Sequence, residues 1–262
     1  MFTGASRYRG RMAEIDLNAD LGETVDGVAT ADDEAMFAVV SSASVACGGH
    51  AGDTASMRAA VTRARAAGVA VGAHPSFLDR AGFGRTALSV APELLREQVR
   101  DQISALAEAG ADLRYVKPHG ALYHSVSADA AAAAAVATAV ADVSRALGRP
   151  LPVLGLPGEI VRAADAAGLP FVHEAFLDRG YLPSGGLVPR SQPGALLDDP
   201  VVVAERAVRL ATEGIVEAVD GSLIAADAAS LCVHGDSPGA VEMARAVRAA
   251  LDAAGVVVRA PW

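Results

Sequence analysis

Lys117 and His119 are the residues whose types and spacing most clearly indicate chemistry. Lys117 is the only lysine among 262 residues, and every other strongly basic side chain is an arginine. A lysine ammonium is a compact charge whose pKa changes readily on burial, whereas a guanidinium stays charged. Pro118 ends strand pairing, and Gly120 permits close approach of the backbone. We therefore predict catalytic roles for Lys117 and His119, with a surface lysine as the alternative.

The histidines lie close to the ends of predicted strands, beside several carboxylates. Histidine titrates near neutral pH, so it suits general acid–base catalysis or metal binding. One such histidine alone is more often structural, but a set that converges on one rim indicates an active site. The histidines at or just beyond strand ends are His50, His74, His119, His124 and His234, and the carboxylates expected beside them are Asp16, Asp20, Glu174 and Asp236.

Asp16, Asn18 and Asp20 are spaced by two residues at the end of the first predicted strand. If the extended backbone continues that far, all three side chains share one face. Unpaired carboxylates and an amide are costly in an apolar core, so they line either a site or solvent. The alternative is a solvated turn in which Asn18 or Asp20 caps the next helix.

A metal site is a further use of these side chains. His50, His74 and one carboxylate, taken as Asp20, would suit an open centre of the zinc or manganese type. No His-Glu-x-x-His pattern or paired cysteine spacing supports it. A divalent metal therefore stays an open expectation.

Candidate anion-binding residues lie in loops and at a helix start. Asp236 and Ser237 precede the last predicted helix, whose free N–H groups favour negative charge. Arg85, Arg179 and Arg190 offer guanidinium groups to a carboxylate or phosphate. Each of these arginines could instead be an ordinary surface residue.

Composition limits the class of protein. A net charge of −9 argues against a nucleic-acid or anionic-membrane partner. The N-terminal residues contain no apolar segment of a secretory signal, and two cysteines cannot form a disulfide framework for a domain of this size. We expect a cytoplasmic protein in which residues 1–11 are a disordered extension or precede the true start, and residues 12–262 form a single (β/α)-barrel domain.

Short apolar segments alternate with helical segments along the chain. This alternation predicts a parallel sheet built from strand–helix–strand units. Polar residues follow nearly every strand, which favours a closed TIM-like barrel over an open sheet with one switch point. The predicted strands cover 13–17, 43–46, 69–73, the stretch containing Lys117, 151–155, 170–174 and 230–234.

Six motifs in this order resemble the LamB/YcsF (lactam utilization) family, from residue 12 to the C-terminus. They are residues 16–23 (DLNADLGE), 46–53 (ACGGHAGD), 72–75 (GAHP), 82–85 (GFGR), 116–123 (VKPHGALY) and 232–236 (CVHGD). The resemblance implies a distorted α/β barrel of the kind found in polysaccharide deacetylases. It also implies the A subunit of the ATP-dependent 5-oxoprolinase, an enzyme that hydrolyses 5-oxo-L-proline to L-glutamate with partner subunits B and C.

The resemblance leads to a division of roles among the candidate residues. Because the chain has no Gly-x-x-x-x-Gly-Lys-[Ser/Thr] motif, we expect ATP to be a cosubstrate of the complex that is used on the partner subunits. The proposed catalytic residues are Asp16, Asp20, Lys117, His119 and His234, and the proposed substrate- or phosphate-binding residues are Asn18, Arg85, Glu174, Arg179, Asp236 and Ser237.

Two other functions stay open. One is a stand-alone, metal-dependent carbon–nitrogen hydrolase or deacetylase, and the other is a non-catalytic subunit that binds the lactam. The sequence does not decide which residue is the general base, nor whether the chain forms a homo-oligomer.

Overall fold

A computed structural model describes residues 13–236 and 239–262. In chain order the strands are β1 (Glu14–Leu21), β2 (Thr24–Val25), β3 (Val28–Ala29), β4 (Ser42–Ala46), β5 (Ala70–His74), β6 (Leu113–Val116), β7 (Val153–Gly155), β8 (Phe171–Phe176), β9 (Ile215–Glu217), β10 (Leu223–Ala225), β11 (Ser230–Cys232) and β12 (Val257–Val258). The helices are α1 (Asp33–Phe37), α2 (Thr54–Ala67), α3 (Pro92–Glu108), α4 (Gly120–Ala128), α5 (Ala130–Leu147), α6 (Glu159–Ala166), α7 (Pro200–Glu213) and α8 (Ala240–Ala253). The extension predicted for residues 1–11 lies outside the described residues.

Seven strands close into a parallel barrel, as predicted. Their order is β1-β4-β5-β6-β7-β8-β11, and β11 pairs with β1 to complete the ring. Each neighbouring pair is parallel. The short strand β12 pairs with the start of β1, and two small hairpins, β2–β3 and β9–β10, lie outside the barrel. The segments that follow the seven strands therefore meet at one end of the barrel.

The two faces of β1 have opposite chemistry. Asp16, Asn18 and Asp20 are buried and bond to groups inside the barrel, whereas Leu17 and Leu21 belong to the hydrophobic core. This alternation follows from the period of two in a strand. The strand continues to Leu21, so the prediction of a shared inner face is confirmed, and the alternative of a solvated turn is wrong.

Local capping groups fix several helix ends. Asp53 and Ser56 form a capping box at the start of α2, and Gly68 ends it in the left-handed conformation. Asp199 caps α7, which begins at Pro200, a residue that suits the first turn of a helix. The helix α3 begins at Pro92, where proline suits the first turn.

Two helices, α4 and α5, lie between β6 and β7. Asp129 adopts an extended conformation between α4 and α5, and its carboxylate accepts from the N–H groups of Ala131 and Ala132. An aspartate at this place stabilises a new helix start. By length and composition α5 could cross a membrane, but a core helix passes the same test, and α5 packs against α3 and α6.

The C-terminal residue closes the end of the barrel opposite the mouth. The Trp262 ring stacks on Tyr115 at 4.5 Å, and its Nε1 donates to Ser42 Oγ at 2.9 Å. Gly72 leaves room for the Tyr115 ring, because a Cβ at Gly72 would lie 2.3 Å from it. The other end of the barrel is the open one.

Candidate active site

A cavity of about 680 Å³ lies at the carboxyl ends of the barrel strands. Its polar lining includes Asp20 from β1, His74 from β5 and residues that follow β6 and β11. The side chains singled out from the sequence that line it are Asp20, His74, Arg85, Lys117, His119, His124, Arg179, Arg190, His234 and Asp236. The convergence expected for a parallel barrel is therefore present at one mouth.

Lys117 lies at the bottom of this cavity and is almost completely buried. Its ammonium lies 2.9 Å from Glu174 Oε1 and donates to Asp20 Oδ1 at 3.0 Å and Asn18 Oδ1 at 3.1 Å. Burial alone would lower the pKa of Lys117, but the negative charges, Asp20 first, hold it well above its usual value. Lys117 is therefore a buried cation balanced by carboxylates.

Asp20 joins Lys117 to a pair of histidines. Its second oxygen, Oδ2, lies 3.3 Å from His74 Nε2. Burial raises the pKa of Asp20, but the charges of His74 and Lys117 outweigh burial and place the pKa well below its usual value. Asp20 is therefore a carboxylate held between two cations.

His74 and His119 share a proton. Nδ1 of His74 donates to the carbonyl oxygen of Lys117 at 2.7 Å, and Nε2 of His119 donates to the carbonyl oxygen of Phe83 at 2.9 Å. The other two ring nitrogens lie 2.9 Å apart, so one donates to the other and the pair carries one positive charge. Burial, together with His50 and His74, lowers the pKa of His119 well below its usual value.

Glu23 is a carboxylic acid in the wall of the cavity. Burial, and then the charge of Asp20, raise its pKa to about 8. Its Oε1 lies 2.9 Å from His50 Nε2 and 3.7 Å from His119 Nδ1. Among the described residues nothing bonds to Nδ1 of His50, so the better tautomer puts the imidazole hydrogen on Nε2, donating to Oε1. The acidic hydrogen of Glu23 then belongs to Oε2.

His234 is oriented by Asp178. Nδ1 of His234 donates to the Asp178 carboxylate at 2.9 Å, and its backbone N–H donates to the same group at 3.2 Å. Burial lowers the pKa of His234, but Asp178 outweighs burial and raises it. A ring nitrogen of His234 lies within 4.8 Å of an oxygen of Asp20, and the ring stacks on Phe176. An aspartate-oriented imidazole at a cavity suits a general base.

Three predicted residues lie behind the cavity rather than in its wall. Asn18 donates to Glu174 at 2.9 Å and to Ser230 at 2.8 Å, and Tyr123 donates to the other oxygen of Glu174. Asp16 lies deeper still, where serine hydroxyls donate to it, and burial raises its pKa to about 6. Asp16, Asn18 and Glu174 thus support Lys117 from below, and their assigned roles stay predictions.

The rim of the cavity carries arginines in two different settings. Arg85 forms an ion pair with Asp236 at 2.5 Å across the mouth. Arg179 is nearly buried, and it donates to the carbonyl oxygens of Ala195 and Val188 at 3.0 and 2.8 Å. Ser237, also predicted to bind substrate or phosphate, lies outside the described residues.

The residues predicted as metal ligands do not form one group. Three sets of described side chains that include a predicted ligand are close enough to hold an ion. They are Asp20–His74–His119, Glu23–His50–His119 and Asp20–Cys232–His234, and none contains both His50 and His74. In the set Asp20–His74–His119, each atom that could bind a metal already takes part in a hydrogen bond or an ion pair. The geometry therefore fits a shared proton, and a metal would have to displace that proton.

Sequence reasoning did not single out Glu23, Asp178 and Tyr123. Glu23 follows Gly22, whose φ of +71° turns the chain at the end of β1, so its place two residues beyond a strand with a polar face was the available signal. Asp178 lies in the loop after β8 and is recognisable only through its contact with His234. Tyr123 is buried on α4 and gives no separate signal in the sequence.

Comparison with known proteins gives a consistent result. The LamB/YcsF family matches residues 15–261. A protein of Kocuria rhizophila that is named as the A subunit of 5-oxoprolinase is 51% identical over 253 residues, which cover 95% of this chain and 99% of that one. The lactam utilization protein of Thermus thermophilus aligns with a TM-score of 0.87 at 47% identity, covering 94% of this chain and 99% of that one. A T48 deacetylase shares only the fold, with a TM-score of 0.50 at 13% identity, over 94% of this chain and 87% of that one.

Proposed function

Because this chain belongs to the LamB/YcsF family, we propose that it is the hydrolytic subunit of an ATP-dependent 5-oxoprolinase, converting 5-oxo-L-proline to L-glutamate. Two observations support this. Relatives near 50% identity over almost their whole length carry the name of that enzyme. The cavity at the barrel mouth also brings together an acid, an aspartate-oriented imidazole and buried cations. The second observation carries the proposal.

The reaction explains why ATP is needed. In the lactam the amine and the acyl carbon are held in one ring, so ring closure competes strongly with hydrolysis. Phosphorylation of the amide oxygen makes the ring carbon a better electrophile. Water then adds to that carbon, the carbon–nitrogen bond breaks, and the nitrogen takes up a proton. A second water supplies the oxygen that completes release of phosphate and leaves glutamate.

Each cavity side chain has a role in the proposed step. His234 takes the proton of the attacking water while Asp178 holds the imidazole in the required tautomer. Glu23 donates its proton to the ring nitrogen as the carbon–nitrogen bond breaks. Lys117 and the His74–His119 pair are the cations at the bottom of the cavity. Although Asp20 and Glu174 balance their charge, they lie where negative charge develops on oxygen and stabilise it locally. Asp20 keeps both cations in place.

The ATP-dependent step is assigned to partner subunits. The relatives are designated as one lettered subunit of an enzyme, which implies a complex with other subunits. This chain lacks the glycine-rich phosphate-binding motif, which supports phosphorylation on its partners, subunits B and C. The proposed steps use only side chains of this chain.

Reconstitution tests the proposed function. The chain is mixed with its candidate partner subunits, ATP and 5-oxoproline, and glutamate is followed by chromatography. We expect glutamate only when every component is present. Glutamate formed by this chain without ATP, in zinc or manganese, would instead favour the metal-dependent hydrolase suggested by the Asp20–His74–His119 group. Glutamate formed by the partners alone would favour a binding role.

A further inference from the structure

The charges around the cavity do not cancel at its rim. At the bottom, Lys117 and the histidine pair face carboxylates. In the side walls, His234 pairs with Asp178 and Arg85 pairs with Asp236. Arg179 and Arg190, which we call the arginine pair, line the same cavity. No ion pair within the described residues joins either arginine to a carboxylate.

Arg179 is an uncompensated charge in an enclosed position. Only 4% of the residue is exposed, and its partners are the carbonyl oxygens of Ala195 and Val188. Nη1 makes no hydrogen bond within the described part of the chain. Burial, and then the charge of Arg190, lower the pKa of Arg179, so the two guanidinium groups repel each other. Two guanidinium groups that line one cavity without a carboxylate partner among the described residues indicate that an anion neutralises them in use.

We propose that the arginine pair is a subsite for the phosphoryl group of an activated lactam; the inference rests on the proposed function. A phosphoryl group carries about two negative charges near neutral pH and matches two guanidinium groups. The lactam carboxylate carries one charge and would leave one arginine unmatched.

The size of the cavity supports the same conclusion. At about 680 Å³ it falls within the range of roughly 300–1,000 Å³ that holds drug-sized ligands. A single five-membered ring with one carboxylate fills little of that space. Apolar side chains, Leu187, Val188 and Pro189, line the wall beside the arginine pair and exclude water around a bound anion.

Binding of inorganic phosphate to the isolated chain tests the subsite without ATP, partners or turnover. Titrations of phosphate, acetate and 5-oxoproline are followed by calorimetry in a phosphate-free buffer. Arg190→Gln is the variant of choice, because Arg190 is exposed, whereas Arg179 also holds the loop through two carbonyl oxygens. We expect phosphate affinity to fall at least about 10-fold, as for loss of one charge-assisted hydrogen bond, with partial recovery in Arg190→Lys.

The control is Arg245→Gln, an exposed arginine on α8 that does not line the cavity. It should leave phosphate binding unchanged. Unchanged phosphate affinity in Arg190→Gln would overturn the subsite even if the complete enzyme makes glutamate. If Arg190→Gln weakens the binding of acetate and 5-oxoproline but not of phosphate, the arginine pair binds the substrate carboxylate, and the phosphoryl subsite is also overturned. Weakened phosphate binding together with no glutamate in the reconstituted system would support the subsite and reject the proposed function.

Discussion

At the scale of single residues, Lys117 shows why this chain uses one lysine. Its nitrogen lies within 3.1 Å of Asn18, Asp20, Glu174 and the Cys232 sulfur. A compact ammonium can sit among four such partners, whereas a planar guanidinium directs its donors along fixed directions. The composition of the chain therefore identified the residue at the bottom of the cavity.

Asp16 gives a stability prediction with a definite sign. Its pKa is about 6 in the folded chain, above the ordinary value of 3.8, so between these values the folded state binds more protons than the unfolded state. Stability is therefore lost as pH rises through this window. By pH 7 the raised pKa lowers the free energy of unfolding by about 3 kcal/mol, from roughly two pKa units. The substitution Asp16→Asn removes this pH-dependent destabilisation.

We expect the difference in unfolding free energy, Asp16→Asn minus wild type, to rise by about 2 kcal/mol between pH 4 and pH 7. Urea denaturation at several pH values measures it. Glu34→Gln, at an exposed carboxylate, controls for the loss of one negative charge. A difference that stays flat with pH would contradict the account of Asp16.

The residues that the sequence could identify are those that carry an unusual type or a local motif. Lys117, His119 and His234 follow strand ends, and their convergence required only a parallel barrel. Glu23 and Asp178 act through contacts with residues far along the chain, His119 and His234. Contacts between residues so far apart in the sequence depend on the paths of the loops, which no local sequence pattern encodes.

At the scale of elements, the loop between β5 and α3 packs on the start of α4. The Gly84 carbonyl oxygen accepts from the N–H of Ala121 at 2.8 Å, and the Phe83 carbonyl oxygen accepts from His119. A Cβ at Gly120 would lie 2.5 Å from that Gly84 oxygen, and the φ of Gly120 is +54°. The loop therefore sets the tautomer of His119 through a close backbone contact.

Gly120→Ala should separate this contact from ordinary backbone strain. Gly148→Ala is the matched control, because its φ is +70° but a Cβ there meets nothing within 4 Å. We expect Gly148→Ala to cost about 1–2 kcal/mol and keep activity, whereas Gly120→Ala costs more and also lowers glutamate formation. Chemical denaturation and the reconstituted assay measure the two effects. Equal behaviour of the variants would contradict a positioning role for the loop.

The seven barrel strands were all predictable, because each is a short apolar run followed by polar residues. The boundary at Asp129 was not, since a single aspartate between two helical segments decides it. The strand β12 was missed because it has only two residues and owes its pairing to β1. Elements held by tertiary contacts are therefore the ones that local patterns leave out.

At the scale of the whole molecule, the two ends of the closed barrel differ. Trp262 and Tyr115 fill one end, and the other end opens into the cavity. The inward side chains between them form a continuous polar network from Asp16 through Asn18 to Lys117 and Asp20. A closed parallel sheet is what allows seven distant segments to supply one site.

The most direct test measures ADP and glutamate in the same reconstituted reaction, with Glu23→Gln in place of the wild-type chain. Gln keeps the size of Glu23 but has no acidic proton, and Glu34→Gln is the control. If this chain hydrolyses an intermediate phosphorylated by its partners, glutamate formation falls at least about 100-fold while ADP release continues. Glutamate formed at the wild-type rate, or ADP and glutamate lost together, would contradict that division of labour.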